Sequence, residues 1–378
     1  MAGDLTGAAA AELLAELVAI PSVNPSLDSA GGGERAIAAF AVRWLRARGL
    51  AAQVEEAAPG RPNVHAAAGA GGRDLCLYAH LDTVDAGAME IDPFAGAVAG
   101  GRLYGRGAYD MKGGLAAVLM AAAALAAGGP RGGRLSLALV ADEEYASVGA
   151  DAYVRVHRPA ACILTEPTDG RLVLTHKGFV WLEVATRGRA AHGSRWDLGV
   201  SAIGRMAPVV AALEAFDRDV LRARQDPLVG PASLHCAVIS GGTGVSTYAA
   251  QCRLQVERRL LPGESAHAAA AEIERVVRGA APDAEVAAHF SRPGLVGGMD
   301  APVSRAVRAA AAAVTGAEPA VAGAAYWTDA AIFAEAGIPA VIFGPTGAGA
   351  HGSVEWVEVD SVVAVARILV EAARRFWA

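Results

Sequence analysis

Leu75-Cys76-Leu77-Tyr78-Ala79-His80-Leu81-Asp82 is an apolar run that ends on an imidazole and then a carboxylate. The run reads as a β-strand with a metal-binding side chain at its end. The same arrangement recurs along the chain. Leu135 to Ala141 precede Glu143-Glu144, Cys162-Ile163-Leu164-Thr165 precede Glu166, and Val341-Ile342-Phe343 precede a glycine-rich loop with His351. Asp110 closes the turn Gly105-Arg106-Gly107-Ala108-Tyr109-Asp110, just before an apolar helix. In open α/β sheets, ligands bind beyond the carboxyl ends of the strands. One sheet edge can therefore gather all of these side chains, and two imidazoles with several carboxylates there point to a site for two metals.

Outward from that core, the pattern changes in the middle of the chain. From 34 to about 177 helical and strand-like segments alternate, as in an α/β domain. Segment 114–127 is apolar nearly all round and is expected to be a buried helix. From 179 a different order begins: a strand at Phe179 to Thr186, a helix near 200–216, strands at 233–240 and 250–260, a helix at 264–279 and a strand near 285–290. That β-α-β-β-α-β order is ferredoxin-like. A helix at 302–315 and a strand at 340–343 then return to α/β character. The expectation is an α/β catalytic domain with a mixed sheet flanked by helices, made of 1–178 and 291–378, with an inserted α+β domain at 179–290.

Composition narrows the function classes. The chain has 378 residues, 53% of them hydrophobic, and a formal net charge of −6. Such a balance argues against an electrostatic nucleic-acid binder. No apolar run reads as long enough to cross a bilayer without Gly, Pro or charge. The first residues carry Asp4, Glu12 and Glu16 and no basic stretch, unlike a secretory signal. Cys76, Cys162, Cys236 and Cys252 are far apart, which suits free thiols in a reducing, cytoplasmic setting better than disulfides or a thiolate zinc site.

Each candidate residue has an ordinary alternative. His80 could be a structural histidine at a strand end, and Asp110 a helix N-cap. Glu143-Glu144 could be a solvated acidic turn, Glu166 a turn residue before Pro167, and His351 a loop histidine. Five such accidents at one sheet edge are less economical than a shared site. His80 and Asp82, two apart on extended backbone, suit a ligand whose second ring nitrogen is met by a carboxylate. Oxygen and imidazole donors without thiolate favour zinc, with cobalt or manganese as alternatives. A competing motif, Gly347-Ala348-Gly349-Ala350-His351-Gly352, matches a dinucleotide fingerprint, but Val354-Glu355-Trp356-Val357 does not begin the helix such a site needs.

Taken together, Tyr78 to Val84, Gly105-Arg106-Gly107 through Asp110-Met111-Lys112-Gly113-Gly114, Ala141-Asp142-Glu143-Glu144 and Thr165-Glu166-Pro167-Thr168 resemble successive signatures of one family. Gly188 to Ser194, Glu257 to Gly263, Thr328-Asp329-Ala330 and His351 continue the match, which spans roughly residues 10–375. The family is that of acetylornithine deacetylases, succinyl-diaminopimelate desuccinylases, aminoacylases and glutamate-releasing carboxypeptidases. The resemblance implies a di-zinc hydrolase in which His80, Asp110 and Glu166 hold one metal and Asp110, Glu144 and His351 the other. Asp82 would orient His80, Glu143 would be general base and acid towards a metal-activated water, and the peptide after Asp110 would be cis. His192 would stabilise the oxyanion in a neighbouring subunit of a homodimer formed through the inserted domain. Arg259, with Ser246 on the lid loop, would meet the substrate. Gln255, Glu257 and Arg259 share one face of their strand, opposite Cys252, Leu254 and Val256.

The expected activity is cleavage of a small N-acyl amino acid, acetylornithine- or succinyl-diaminopimelate-like. A dipeptidase or carboxypeptidase needs the same metals and a different pocket, and a non-catalytic metal-binding dimer would have no use for Glu143. Trp196, Ser246 and Val354 depart from residues common in the family, and these departures bear on the substrate rather than on the metals.

Overall fold

The computed structural model describes residues 4–129 and 132–378. They form two compact units, Met1–Leu174 with Gly297–Ala322 and Thr328–Ala378, and Thr175–Val296 with Gly323–Trp327. The larger unit is built on a mixed sheet. Its strands lie in the order Ala51–Ala58, Arg61–Ala68, Gly133–Val140, Arg73–His80, Ala161–Leu164, Ala340–Ile342, then the strand that begins at Leu172. The four in the middle are mutually parallel, and the flanking ones antiparallel. Parallel strands are covered on both faces and read as continuous apolar runs. Leu75 to Ala79 are accordingly all fully buried.

The apolar segment after Asp110 is the helix Gly113–Gly128, with buried residues on every side. It packs against the sheet, against Gly7–Val18 and against the C-terminal helix Val359–Trp377. Each fully buried Leu or Met there contributes about 1.5–3 kcal/mol relative to an exposed one. One point differs from the sequence expectation. Ala108–Gly128 is long and apolar enough to cross a membrane, but it is mostly buried inside this unit. The helix Gly7–Val18 is capped by Thr6, whose hydroxyl accepts from the Ala9 amide, and Pro21 follows shortly after its end.

The smaller unit has the order strand Gly178–Arg187, helix Ala202–Phe216, strands Ser233–Gly241 and Gln251–Leu260, helix Ala266–Ala280 and strand Glu285–Arg292. Its antiparallel sheet runs Ser233–Gly241, Gln251–Leu260, Gly178–Arg187, Glu285–Arg292. Met206, Val209 and Leu213 from one helix and Ile273 and Val277 from the other share a core with Leu182, Val184, Leu254 and Val256. Ser201 and Ser265 cap the two helices. Along Gln251–Leu260 the apolar face begins as expected with Cys252, Leu254 and Val256, but Arg258 follows on it, fully buried. Its guanidinium is retained there by Glu264, at 3.1 and 3.2 Å. All four cysteines are free.

The start of the buried helix also presses on the sheet edge. A Cβ on Gly114 would lie 2.2 Å from the Thr165 carbonyl oxygen and 2.7 Å from its hydroxyl. Gly114→Ala is therefore expected to destabilise the fold by about 1–3 kcal/mol, as overpacking does. Urea unfolding at unchanged m-value reads this, and a midpoint equal to the parent's would contradict it.

Candidate metal centre

Because the four central strands are parallel, their carboxyl ends lie along one edge. His80 is the last residue of its strand, Glu143 and Glu144 follow Gly133–Val140, and Glu166 follows Ala161–Leu164. His351 comes later, from a turn in which Gly349 and His351 itself take left-handed backbone. Asp110 sits where helical geometry breaks, before Gly113–Gly128, and its peptide to Met111 is cis. Its side chain caps no helix, contrary to the ordinary reading of such an aspartate.

The two oxygens of Asp110 face different imidazoles. Oδ1 lies 3.3 Å from His80 Nε2, and Oδ2 lies 3.4 Å from His351 Nε2. His80 Nε2 is also 3.7 Å from Glu166 Oε2, and His351 Nε2 is 3.0 Å from Glu144 Oε2. Two triads result, His80–Asp110–Glu166 and Asp110–Glu144–His351, with ligand atoms in each within 4.8 Å of one another. These are the two sets that the resemblance implied.

The donor set can be tested against a pair of divalent cations. Glu144 Oε1 and Glu166 Oε1 are buried without a hydrogen-bond partner. An unsatisfied buried polar atom is costly, and a cation in each triad would satisfy the one that faces it. Burial, then repulsion from Glu166, pushes Glu143 well above the usual carboxylate range. Burial likewise raises Glu166 and Glu144, with Asp110 adding to each. Burial also pushes Asp110 upward, but hydrogen bonds from His351 and His80 win, and it lies far below its ordinary value. His351, hydrogen-bonded to Asp110 and Glu144, is pushed up to about 10. His80 is raised too, against its burial, by Glu166 and Asp110. Protons thus stand where positive charge is needed, and two His with three carboxylates fit zinc, cobalt or manganese.

One expectation needs correction. The second nitrogen of His80 meets the backbone oxygen of Asp82 at 2.9 Å, while the Asp82 carboxylate stands 3.7 Å away. That carboxylate instead accepts from the amides of Glu143 at 3.1 Å and Glu144 at 3.2 Å. Its main task is therefore to fix the turn that carries both acids.

A residue that sequence reasoning passed over is Glu355. Fully buried, it accepts from the amides of Gly107, Tyr109 and Asp110 at 2.9–3.0 Å and from Arg106 Nη1 at 2.8 Å. One carboxylate thereby holds the backbone that presents Asp110. The available signal was an acid inside the apolar Val354-Glu355-Trp356-Val357. The glycine motif before it forms a two-residue strand, Gly347–Ala348, paired with Trp356–Glu358, and the next helix begins only at Val359.

The remaining candidates lie in the smaller unit. His192 is exposed, and its Nδ1 accepts from the Ser194 amide at 3.2 Å, which leaves Nε2 as the protonated nitrogen of the neutral ring. Gly193 donates to the Ser246 carbonyl at 2.7 Å, so the loops bearing His192 and Ser246 are neighbours. Arg259 pairs with Glu257 and lies 5.4 Å over the Phe179 ring.

The sequence matches peptidase family M20/M25/M40 over residues 76–375. It is 31% identical over 383 aligned positions to a succinyl-diaminopimelate desuccinylase of Methylocella silvestris, covering 95% of this chain and 96% of that one. It is 33% identical over 252 residues to an acetylornithine deacetylase of Vibrio atlanticus, an alignment that takes in 65% of this chain and 66%, just under two thirds, of the relative. The crystal structure of a tripeptidase from Staphylococcus aureus superposes with a TM-score of 0.82 at 22% identity, over 98% of this chain and 99% of that one. That similarity shows a common fold.

The charge arrangement has a pH signature in the metal-free protein. The folded pKa of His351 lies above its ordinary value of about 6.5, so its stabilisation is complete below that pH and is lost as pH climbs through about 10. The raised Glu143, Glu144 and Glu166 act with the same sign from the carboxylate range upward. Lys112, held down to about 7 by burial, acts with the opposite sign over much of this range but in both metal-free and metal-loaded protein, so the melting temperature gained by saturating zinc over chelator-treated protein should increase from pH 6.5 to 10. A zinc-dependent gain that shrinks over this range would contradict the arrangement.

Proposed function

The chain belongs to peptidase family M20/M25/M40, and on that premise we propose that this metal-dependent hydrolase is a deacylase of small N-acyl amino acids. The observation that carries the reading is Glu143, a half-buried acid whose charge is felt by Glu166 and His80 and which belongs to neither ligand triad. A protein that only binds metal has no use for it. The relatives at 31% and 33% identity are named a desuccinylase and a deacetylase, which supports an acylated amino acid as the substrate class.

In this reading His80, Asp110 and Glu166 hold one cation and Asp110, Glu144 and His351 the other, zinc before cobalt or manganese. Such cations, when bound, lower the pKa of water towards about 7 and polarise the amide carbonyl. Glu143 takes the proton of the attacking water and returns it to the leaving amine, as a general base that becomes a general acid. Asp82 keeps Glu143 and Glu144 in register through their amides. Nε2 of His192, a donor in the neutral ring, meets the oxyanion that develops on the carbonyl; one such donor is typically worth about 2.7–4 kcal/mol.

His192 belongs to the inserted unit, and we assign it to the centre of a neighbouring subunit in a homodimer built through that unit. Ser233–Gly241 supports the assignment, because it is an edge strand with Val238 and Ile239 exposed, a ready surface for a second copy. Arg259 has five N–H donors, more than Glu257 uses, so its fork can also take a substrate carboxylate alongside Ser246. The four free cysteines support a reducing, cytoplasmic setting. The second reading, a dipeptidase or carboxypeptidase, rests on the tripeptidase with the same fold.

A panel of N-acetyl, N-succinyl and N-formyl amino acids plus dipeptides, assayed with zinc or cobalt and with chelator, tests the proposal. Chelator-sensitive release from acyl-amino acids is expected. Cleavage of dipeptides alone would move the protein to the peptidase reading, and silence with two metals bound would favour a binding protein. Glu143→Ala should retain metal and lose about 10²–10⁴-fold in kcat, the usual worth of a general acid–base group. Near-parental turnover in that variant would remove Glu143 from the role.

A further inference from the structure

Behind Asp82 lies a buried polar network whose other members, Asn24, Glu34, Arg61 and Asp142, none of the roles above uses. Asn24 is fully buried, and its side-chain oxygen accepts from the Ser26 amide at 2.9 Å, which fixes the amide so that its NH2 points away from that turn. The NH2 donates to two carboxylates, Asp82 Oδ2 at 2.7 Å and Asp142 Oδ1 at 3.0 Å. Arg61 reaches the same Asp142 oxygen with Nη1 at 2.9 Å. On its other side Arg61 brackets the fully buried Glu34, with Nε at 3.1 Å and Nη2 at 2.5 Å. The backbone of Asn24 is tied in as well, its amide donating to the Thr83 carbonyl at 2.9 Å.

What this network holds is the orientation of the site. Asp142 takes a left-handed backbone conformation, φ 73°, which a non-glycine residue adopts only when its surroundings impose it. Its carbonyl closes the turn by accepting from the amides of Ser147 at 2.6 Å and Ala146 at 3.2 Å. That turn sends out Glu143 and Glu144, whose amides rest on Asp82, and the Asp82 carbonyl accepts from His80 Nδ1 at 2.9 Å. Asp82, Asp142 and Glu34 carry three formal negative charges against the one of Arg61, so the two aspartates would repel without a donor between them. Asn24 supplies that donor, and Arg61 anchors it from outside.

We propose that Asn24 and Arg61 are positioning residues for the metal centre: by bridging Asp82 and Asp142 they set the directions of His80, Glu143 and Glu144, and hence the affinity for both cations. The inference rests on the metal-centre reading above. Residues that orient ligands typically alter metal affinity by about 10–100-fold when removed.

The test is titration of metal-free protein with Co²⁺, followed by calorimetry and by the visible spectrum of the bound ion. Asn24→Ala is expected to weaken binding at least about 10-fold and to change the spectrum. Arg61→Lys keeps the charge but cannot bracket Glu34 and Asp142 together, and should give a smaller loss in the same direction. Ser304→Ala removes a part-buried hydrogen bond far along the chain, to the Gly298 carbonyl at 2.7 Å, and should lower the melting temperature without moving affinity or spectrum. Co²⁺ affinity of Asn24→Ala within twofold of the parent would overturn the inference alone. Parent protein that takes up no Co²⁺ or Zn²⁺ would overturn the metal-centre reading and this one with it. If Asn24→Ala does not fold, Asn24→Ser is judged by the same criterion.

Discussion

Repulsion among buried carboxylates governs this molecule. Asp110, Glu143, Glu144 and Glu166 converge at one sheet edge, where burial alone favours their neutral forms. Positive charge must be brought to them, as protons on His80 and His351 in the metal-free chain or as cations in the loaded one. The rest of the larger unit answers that demand. Asp110 divides its two oxygens between two imidazoles, and Glu144 and Glu166 each keep one oxygen without a protein partner.

Such a cluster needs a frame that cannot relax away from it. The parallel strands supply direction, since four carboxyl ends at one edge point their following residues the same way. The loops supply reach, and two of them are each tied by a buried carboxylate to backbone N–H groups. Glu355 holds the Asp110 loop, and Asp82 holds the Glu143-Glu144 turn. An acid that accepts two or three amides becomes part of the backbone's own hydrogen bonding, so the loop and the charge stabilise each other. The cost is further negative charge behind the site, which Arg106 offsets on one side and Arg61 with Asn24 on the other.

The candidate residues are divided between the two units. In the larger one the ligand atoms lie on rigid strand ends and on loops clamped to them. In the smaller one His192 and Ser246 lie on adjoining exposed loops, and Arg259 lies on a strand whose other face is core. Arg258 breaks the apolar run of that face without breaking the fold, because Glu264 accepts from it inside. A purely alternating reading of the strand misses this, since a buried arginine depends on an acid from outside the strand.

Much of this was legible in the residues. Short apolar runs that end in His or Glu announced the strands and their shared edge. The all-apolar 114–127 announced a core helix, and the change of rhythm after 179 announced the order of strands and helices found from Gly178 to Arg292. Those features follow from local rules, apolar periodicity and the direction of parallel strands, and so need no knowledge of distant contacts. Which oxygen of Asp82 does what, the clamp by Glu355, and the joining of Asn24, Glu34, Arg61 and Asp142 across four separate segments were decided only by the tertiary structure. Hydrogen bonds to buried carboxylates have no sequence period: their partners are set by where the folded backbone leaves an amide unpaired, and that is known only once the chain has closed around them.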